Sequence, residues 1–168
     1  MRRSLLVIAP LALGFALAGC QQEAKAPEAA ASDAPDAKPG LALRGGALVL
    51  PAVKGNPGVA YFRLDNGSKA KVALAAISVD GVDKAEMHQT KGGTMAPVDQ
   101  VEIEPGSSAN FAPGGYHVML FGLDPKLVPG SSTEATLTFA DGDKLSGQLS
   151  IAGAGDAAMG GMDMGAKH

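Results

Sequence analysis

Between residues 41 and 151, short apolar runs alternate with polar positions, and turn residues separate the runs. Apolar side chains at a period of two, bounded by Gly, Pro, Asn and Asp, mark half-buried strands. Strands are predicted over 47–50, 59–64, 71–79, 84–89, 98–103, 108–111, 116–123, 133–139 and 144–151. Turns are predicted at Asp65-Asn66-Gly67-Ser68, Asp80-Gly81, Lys91-Gly92-Gly93, Pro105-Gly106, Pro113-Gly114-Gly115 and Asp141-Gly142. No stretch sustains a helical period. Eight or nine short strands at near-regular spacing predict an all-β domain, an antiparallel sandwich or barrel. With no Trp and 4% aromatic residues, its core must be built from Val, Leu, Ile and Phe.

The two ends have a different texture. Residues 1–20, MRRSLLVIAPLALGFALAGC, place two arginines before an apolar run and small residues before a cysteine. That is the layout of a secretory signal. Leu17-Ala18-Gly19-Cys20 resembles the lipobox of bacterial lipoproteins, which implies a signal peptide over 1–19 and acylation of Cys20. Residues 20–40 are rich in Ala, Pro and charge and lack large apolar side chains, so they predict a disordered tether. The domain is expected over 41–152. Residues 153–168, GAGDAAMGGMDMGAKH, are expected to form a flexible Met- and His-rich tail.

Composition narrows the chemistry. The net charge is −3, and removal of Arg2 and Arg3 leaves 12 basic against 17 acidic side chains, a net of −5. No basic patch suits a nucleic-acid partner. The one cysteine is Cys20. Once acylated it leaves no thiol for a disulfide, a nucleophile or a thiolate-bound copper centre. No Ser-His-Asp order, HExxH motif or paired catalytic carboxylates stand out, so no enzyme is expected.

The histidines and methionines are segregated. Of three histidines and seven methionines, His88, His117, Met87, Met95 and Met119 fall between residues 87 and 119. Met159, Met162, Met164 and His168 crowd the tail. His117 and Met119 are two apart in a predicted strand, so they share a face. His88 is on an earlier strand, and Met95 follows a glycine pair and is expected on a loop. Two imidazoles and two thioethers form a soft, neutral donor set that suits copper(I) better than zinc, calcium or magnesium. Met87, adjacent to His88, is expected to face the core. Glu86 and Gln89 are candidates for groups that hold the ligands. The tail is a candidate auxiliary site, in which His168 and Asp163 could also suit copper(II).

Met87-His88, Met95 and the run Pro113-Gly114-Gly115-Tyr116-His117-Val118-Met119-Leu120 resemble the periplasmic copper chaperones called PCu(A)C. That family's pattern is a His, a Met about eleven residues on, 21 residues, then His-x-Met. Here 21 residues separate Met95 from His117, as in the pattern, but six rather than ten separate His88 from Met95. The shorter spacing reads as a shortened hairpin loop. The resemblance spans residues 41–151. It implies a single antiparallel cupredoxin-like β-sandwich that binds one copper(I) through His88, Met95, His117 and Met119. It also implies delivery of copper in the periplasm, towards the binuclear copper site of cytochrome c oxidase.

The expectation is therefore a monomeric copper chaperone, held at a membrane by its lipid and facing the periplasm. Gln21 after the cysteine points to the outer membrane. The competing readings are a copper-buffering or resistance lipoprotein, and a structural β-sandwich lipoprotein that binds no metal.

Overall fold

The computed structural model describes residues 38–156. The predicted signal peptide, Cys20 and most of the predicted tether lie outside the described residues, as do Met159, Met162, Met164 and His168.

Ten strands follow one another: β1 Leu41–Val49, β2 Gly58–Asn66, β3 Val72–Val79, β4 Val82–Lys91, β5 Thr94–Pro97, β6 Val101–Ile103, β7 Ser108–Phe111, β8 Tyr116–Leu123, β9 Ser132–Phe139 and β10 Lys144–Ala152. The all-β expectation holds. Strict alternation sets the inward face: Ala60, Phe62, Leu64 and Asn66 of β2 are buried, as are Thr133, Ala135, Leu137 and Phe139 of β9. Leu48, Leu74, Phe111, Val118, Leu120 and Leu149 complete the most deeply buried set. Phe62 and Phe111 stack at 4.3 Å between ring centroids and 18° between planes.

Hydrogen bonding is continuous across all ten strands, in the order β5-β4-β8-β7-β2-β1-β10-β9-β3-β6, with β8 also paired to β2. The strands therefore form one sheet, without the break that separates the two sheets of a sandwich. Two pairings are parallel rather than antiparallel: β1 with β10, and β7 with β8 through Phe111 and Tyr116. β1 is the stitch. It pairs with β2 along one edge and with β10 along the other, and its register shifts between Arg44 and Ala47. Gly46 lies at that irregularity, where a Cβ would stand 2.4 Å from Leu149 Cδ2. Only glycine lets the bent strand come this close.

β3 and β4 are joined by the Asp80-Gly81 turn but do not pair with each other. β3 pairs with β6 and β9, whereas β4 pairs with β5 and β8. They nevertheless touch, as do β6 and β7, although both pairs are far apart in the sheet order. The sheet is thus folded over a single core, to which Met87 of β4 belongs as expected.

Asn66 ties this fold together at one end. Its Nδ2 donates to the carbonyls of Ala70 at 2.9 Å, Ile103 at 3.0 Å and Glu104 at 3.3 Å. Its Oδ1 accepts from the Ser68 amide at 3.0 Å and the Ser68 hydroxyl at 2.6 Å. Asn66→Ala should lower stability by about 2 kcal/mol or more, because buried partners lose their hydrogen bonds together. Urea unfolding followed by circular dichroism measures it, and a change under about 0.5 kcal/mol would show that water replaces the amide.

Candidate metal centre

The centre is built on the face of β4, β5 and β8 that points away from the core. Directly opposite residues in a sheet share a face. Register pairs Glu86 with Met119, and His88 with His117. On the other side of β4 it pairs His88 with Pro97 and Thr90 with Met95. Met87, Val118 and Leu120 take the opposite face and anchor it in the core. Glu86, His88, His117, Met119 and Met95 are therefore presented together. Gln89 is paired with Tyr116 and takes the face opposite to His88. Of the two groups considered for holding the ligands, only Glu86 shares the face of the donors.

Met95 is on a strand rather than on the expected loop. Lys91 pairs with Thr94, so Gly92 and Gly93 alone make the turn. Both have positive φ, 59° and 80°. This is the signature of a type I′ turn, whose twist matches that of a hairpin. The short His88-to-Met95 spacing is thus a tight hairpin. It fixes Met95 opposite Thr90, two pairs along β4 from His88 and on the same face.

His117 is buried, at 7% exposure. Its Nδ1 donates to the Gly115 carbonyl at 3.1 Å. A carbonyl only accepts, so in the neutral ring the proton sits on Nδ1 and the Nε2 lone pair is free. That lone pair faces Met95 Sδ at 3.1 Å. An imidazole nitrogen and a thioether sulfur, both possible donors to a soft metal ion, thus converge. The sequence marks Pro113-Gly114-Gly115 as a turn, but nothing in it signals that the Gly115 carbonyl orients His117.

His88 faces His117 across the strands, with ring centroids 5.9 Å apart. Both of its ring nitrogens are buried and lack a hydrogen-bond partner. Glu86 Oε2 stands 3.5 Å from His88 Nε2, too far for a good hydrogen bond. A buried polar atom without a partner costs about 1–3 kcal/mol. Such an atom in a native fold calls for a reason, and a bound ion is one. The Lys84 ammonium, 2.6 Å from Glu86 Oε1, together with nearby His88, holds the Glu86 carboxyl below its ordinary range.

The donor chemistry is selective. Among the described residues, no three His, Cys, Asp or Glu side chains come together as a metal-binding group. A harder ion such as zinc(II) would need such a set. Thioethers must make up any full coordination shell here. Met95 is 53% exposed, whereas the imidazoles beneath it are largely covered.

A family model described as "Putative lipoprotein LpqE-like" matches residues 41–151. The chain belongs to this LpqE-like family. A relative from Leifsonia xyli subsp. xyli, "Putative lipoprotein Lxx21020", is 35% identical over 83 residues, 46% of this chain and 49% of that protein. The LpqE-like chain thus spans about half the length of this curated relative.

Among solved structures, it is similar to the copper-bound PCuAC domain from PmoF2, with a TM-score of 0.59 and 18% identity over 68% of this chain and 93% of that one. The apo PCuAC domain from PmoF1 gives a TM-score of 0.58 at 24% identity, over 68% and 94% of the two chains. The copper(I) form of DR1885 from Deinococcus radiodurans gives 0.58 at 23% identity, over 69% and 80%. At these identities the likeness is one of fold: the LpqE-like chain has the fold of PCuAC domains.

Proposed function

We propose that this LpqE-like protein is an extracytoplasmic copper(I) chaperone. It binds one ion through His88, Met95, His117 and Met119. The observation that carries this reading is the convergence of His117 Nε2 and Met95 Sδ at 3.1 Å beside the unpartnered nitrogens of His88. Copper(I) is the cargo that a neutral nitrogen and thioether set favours. The copper named in the similar solved structures supports the same cargo.

The exposure gradient suits transfer. The ion would lie beneath Met95, the one exposed donor, with the imidazoles behind it. An incoming ligand from a recipient would displace Met95 first, and the buried histidines would release last. Neutral donors add no anionic charge that would trap the ion. The recipient is proposed to be the binuclear copper site of cytochrome c oxidase, reached from a membrane anchor at Cys20. A deletion strain starved of copper tests the delivery role. Its oxidase activity should fall and recover with added copper; a strain that fails only in toxic copper would identify a buffer instead.

We also propose that the C-terminal methionines feed this site. Ala152, Val49, Val59 and Met119 are successive partners across β10, β1, β2 and β8. Three strand spacings of about 4.8 Å place the end of β10 about 14 Å from Met119. Met159 is seven positions beyond Ala152, a maximum reach of about 24 Å. Met159, Met162, Met164 and His168 can therefore meet an ion at the centre, and His168 with Asp163 would accept copper(II) as well. Truncation after Asp156 should remove the extra ions bound per chain and slow loading of the centre by copper(I). Unchanged stoichiometry and unchanged loading would leave the tail without a copper role.

A further inference from the structure

The chemistry described so far uses two imidazoles and two thioethers. A carboxylate stands beside them that this set does not require. Glu86 is opposite Met119 on the same face and two residues before His88 on the same strand. Its Oε2 lies 3.5 Å from His88 Nε2. That distance is long for a hydrogen bond. It is close enough for the carboxylate charge to act on an ion bound at His88, without Glu86 joining the two imidazoles as a third ligand. The other carboxylate oxygen, Oε1, is held by Lys84 at 2.6 Å. Lys84 is opposite Phe121 and shares the face of Glu86 and His88.

We propose that Glu86 and Lys84 set which oxidation state of copper the centre retains. The proposal rests on the copper reading above and adds two residues to it. Copper(I) is satisfied by imidazoles and thioethers and gains little from a carboxylate. Copper(II) is harder, carries one more positive charge and gains from an anionic oxygen at His88. Glu86 is the side chain placed to supply it. Lys84 opposes this in two ways: it occupies one carboxylate oxygen, and its own charge repels a dication more than a monocation. With the pair intact, the centre favours copper(I) while keeping a weak hold on copper(II). Without Lys84 the carboxylate is released to the ion. Without Glu86 the weak hold is lost.

The test uses the full chain and its Glu86→Gln, Lys84→Met and Lys84→Arg variants, so that any copper bound by the tail is common to all. Copper(I) and copper(II) affinities are measured by competition with chromogenic chelators, and the copper potential is measured by mediated titration. Glu86→Gln should weaken copper(II) binding about tenfold or more while changing copper(I) binding by no more than about twofold. A tenfold loss raises the potential by about 59 mV. Lys84→Met should strengthen copper(II) binding about three- to fivefold, the scale of one exposed ion pair, and lower the potential. Lys84→Arg, which keeps the charge, should leave both near the parent values. In the Lys84→Met, Glu86→Gln double variant the gain should vanish. Intact copper(I) binding with an unmoved potential in Glu86→Gln, or a gain in Lys84→Met that persists in the double variant, would overturn this proposal alone. No copper(I) binding by the parent chain would overturn the copper reading and this proposal with it.

Discussion

Replacing His117 by alanine should lower copper(I) affinity by at least about a hundredfold. Loss of a group that merely orients a ligand already costs about 10–100-fold, and His117 is placed to be a ligand itself. Its Nε2 is the atom on which the centre converges. The Gly115 carbonyl fixes its tautomer, Met95 Sδ faces it at 3.1 Å, and His88 lies across the strand. Removal takes away the nitrogen held in place by two contacts and leaves Met95 facing an empty position. The fold should survive, because the core neighbours Val118 and Leu120 point the other way and are untouched. Chelator competition on the purified variant gives the affinity, and circular dichroism shows whether the strands persist. A folded variant that binds copper(I) as tightly as the parent would remove His117 from the centre.

The second large effect concerns Met95. Met95→Ala should weaken copper(I) binding about tenfold or more, as much as Met119→Ala. Met95 lies outside the core and is 53% exposed, so its loss costs the fold little. The residue is nevertheless held firmly. A two-residue turn with positive φ at both glycines sets the hairpin, and the pairing of Thr90 with Met95 brings the sulfur to His117. As a loop residue Met95 would lose more conformational freedom on binding and contribute less. On a short, tightly turned strand most of that freedom is already gone. A Met95→Ala protein with parent-like affinity, beside a Met119→Ala protein that has lost it, would return Met95 to the role of a bystander.

This contrast shows what local pattern reveals. Nine of the ten strands have counterparts in the apolar runs, and the shared face of His117 and Met119 follows from their spacing alone. β5 was missed because all four of its residues are exposed and one is Pro97, so it carries no inward period. The first half of β1 was missed because Gly45 and Gly46 interrupt its apolar run at the irregularity. Asn66 looked like an ordinary turn residue, since nothing in its neighbourhood signals the carbonyls of Ile103 and Glu104 some forty positions away. The parallel pairing of β1 with β10, which makes the sheet continuous, joins strands at opposite ends of the domain. The meeting of His88 with His117 also depends on long-range register. Their shared chemistry was legible, but their position directly across from each other was not. On β4, by contrast, the period of two already places Lys84, Glu86 and His88 on one face.

The central claim is that nitrogen and sulfur from this one face hold copper(I) together. X-ray absorption at the copper edge, on the chain truncated after Asp156 and loaded with one equivalent of copper(I), tests it most directly. The fold described here extends through residue 156, so truncation removes the tail sulfurs without touching the strands. The account predicts a mixed shell of two imidazole nitrogens and two thioether sulfurs, with one sulfur lost in Met95→Ala. A shell of nitrogen and oxygen alone, or a sulfur contribution indifferent to Met95 and Met119, would contradict it.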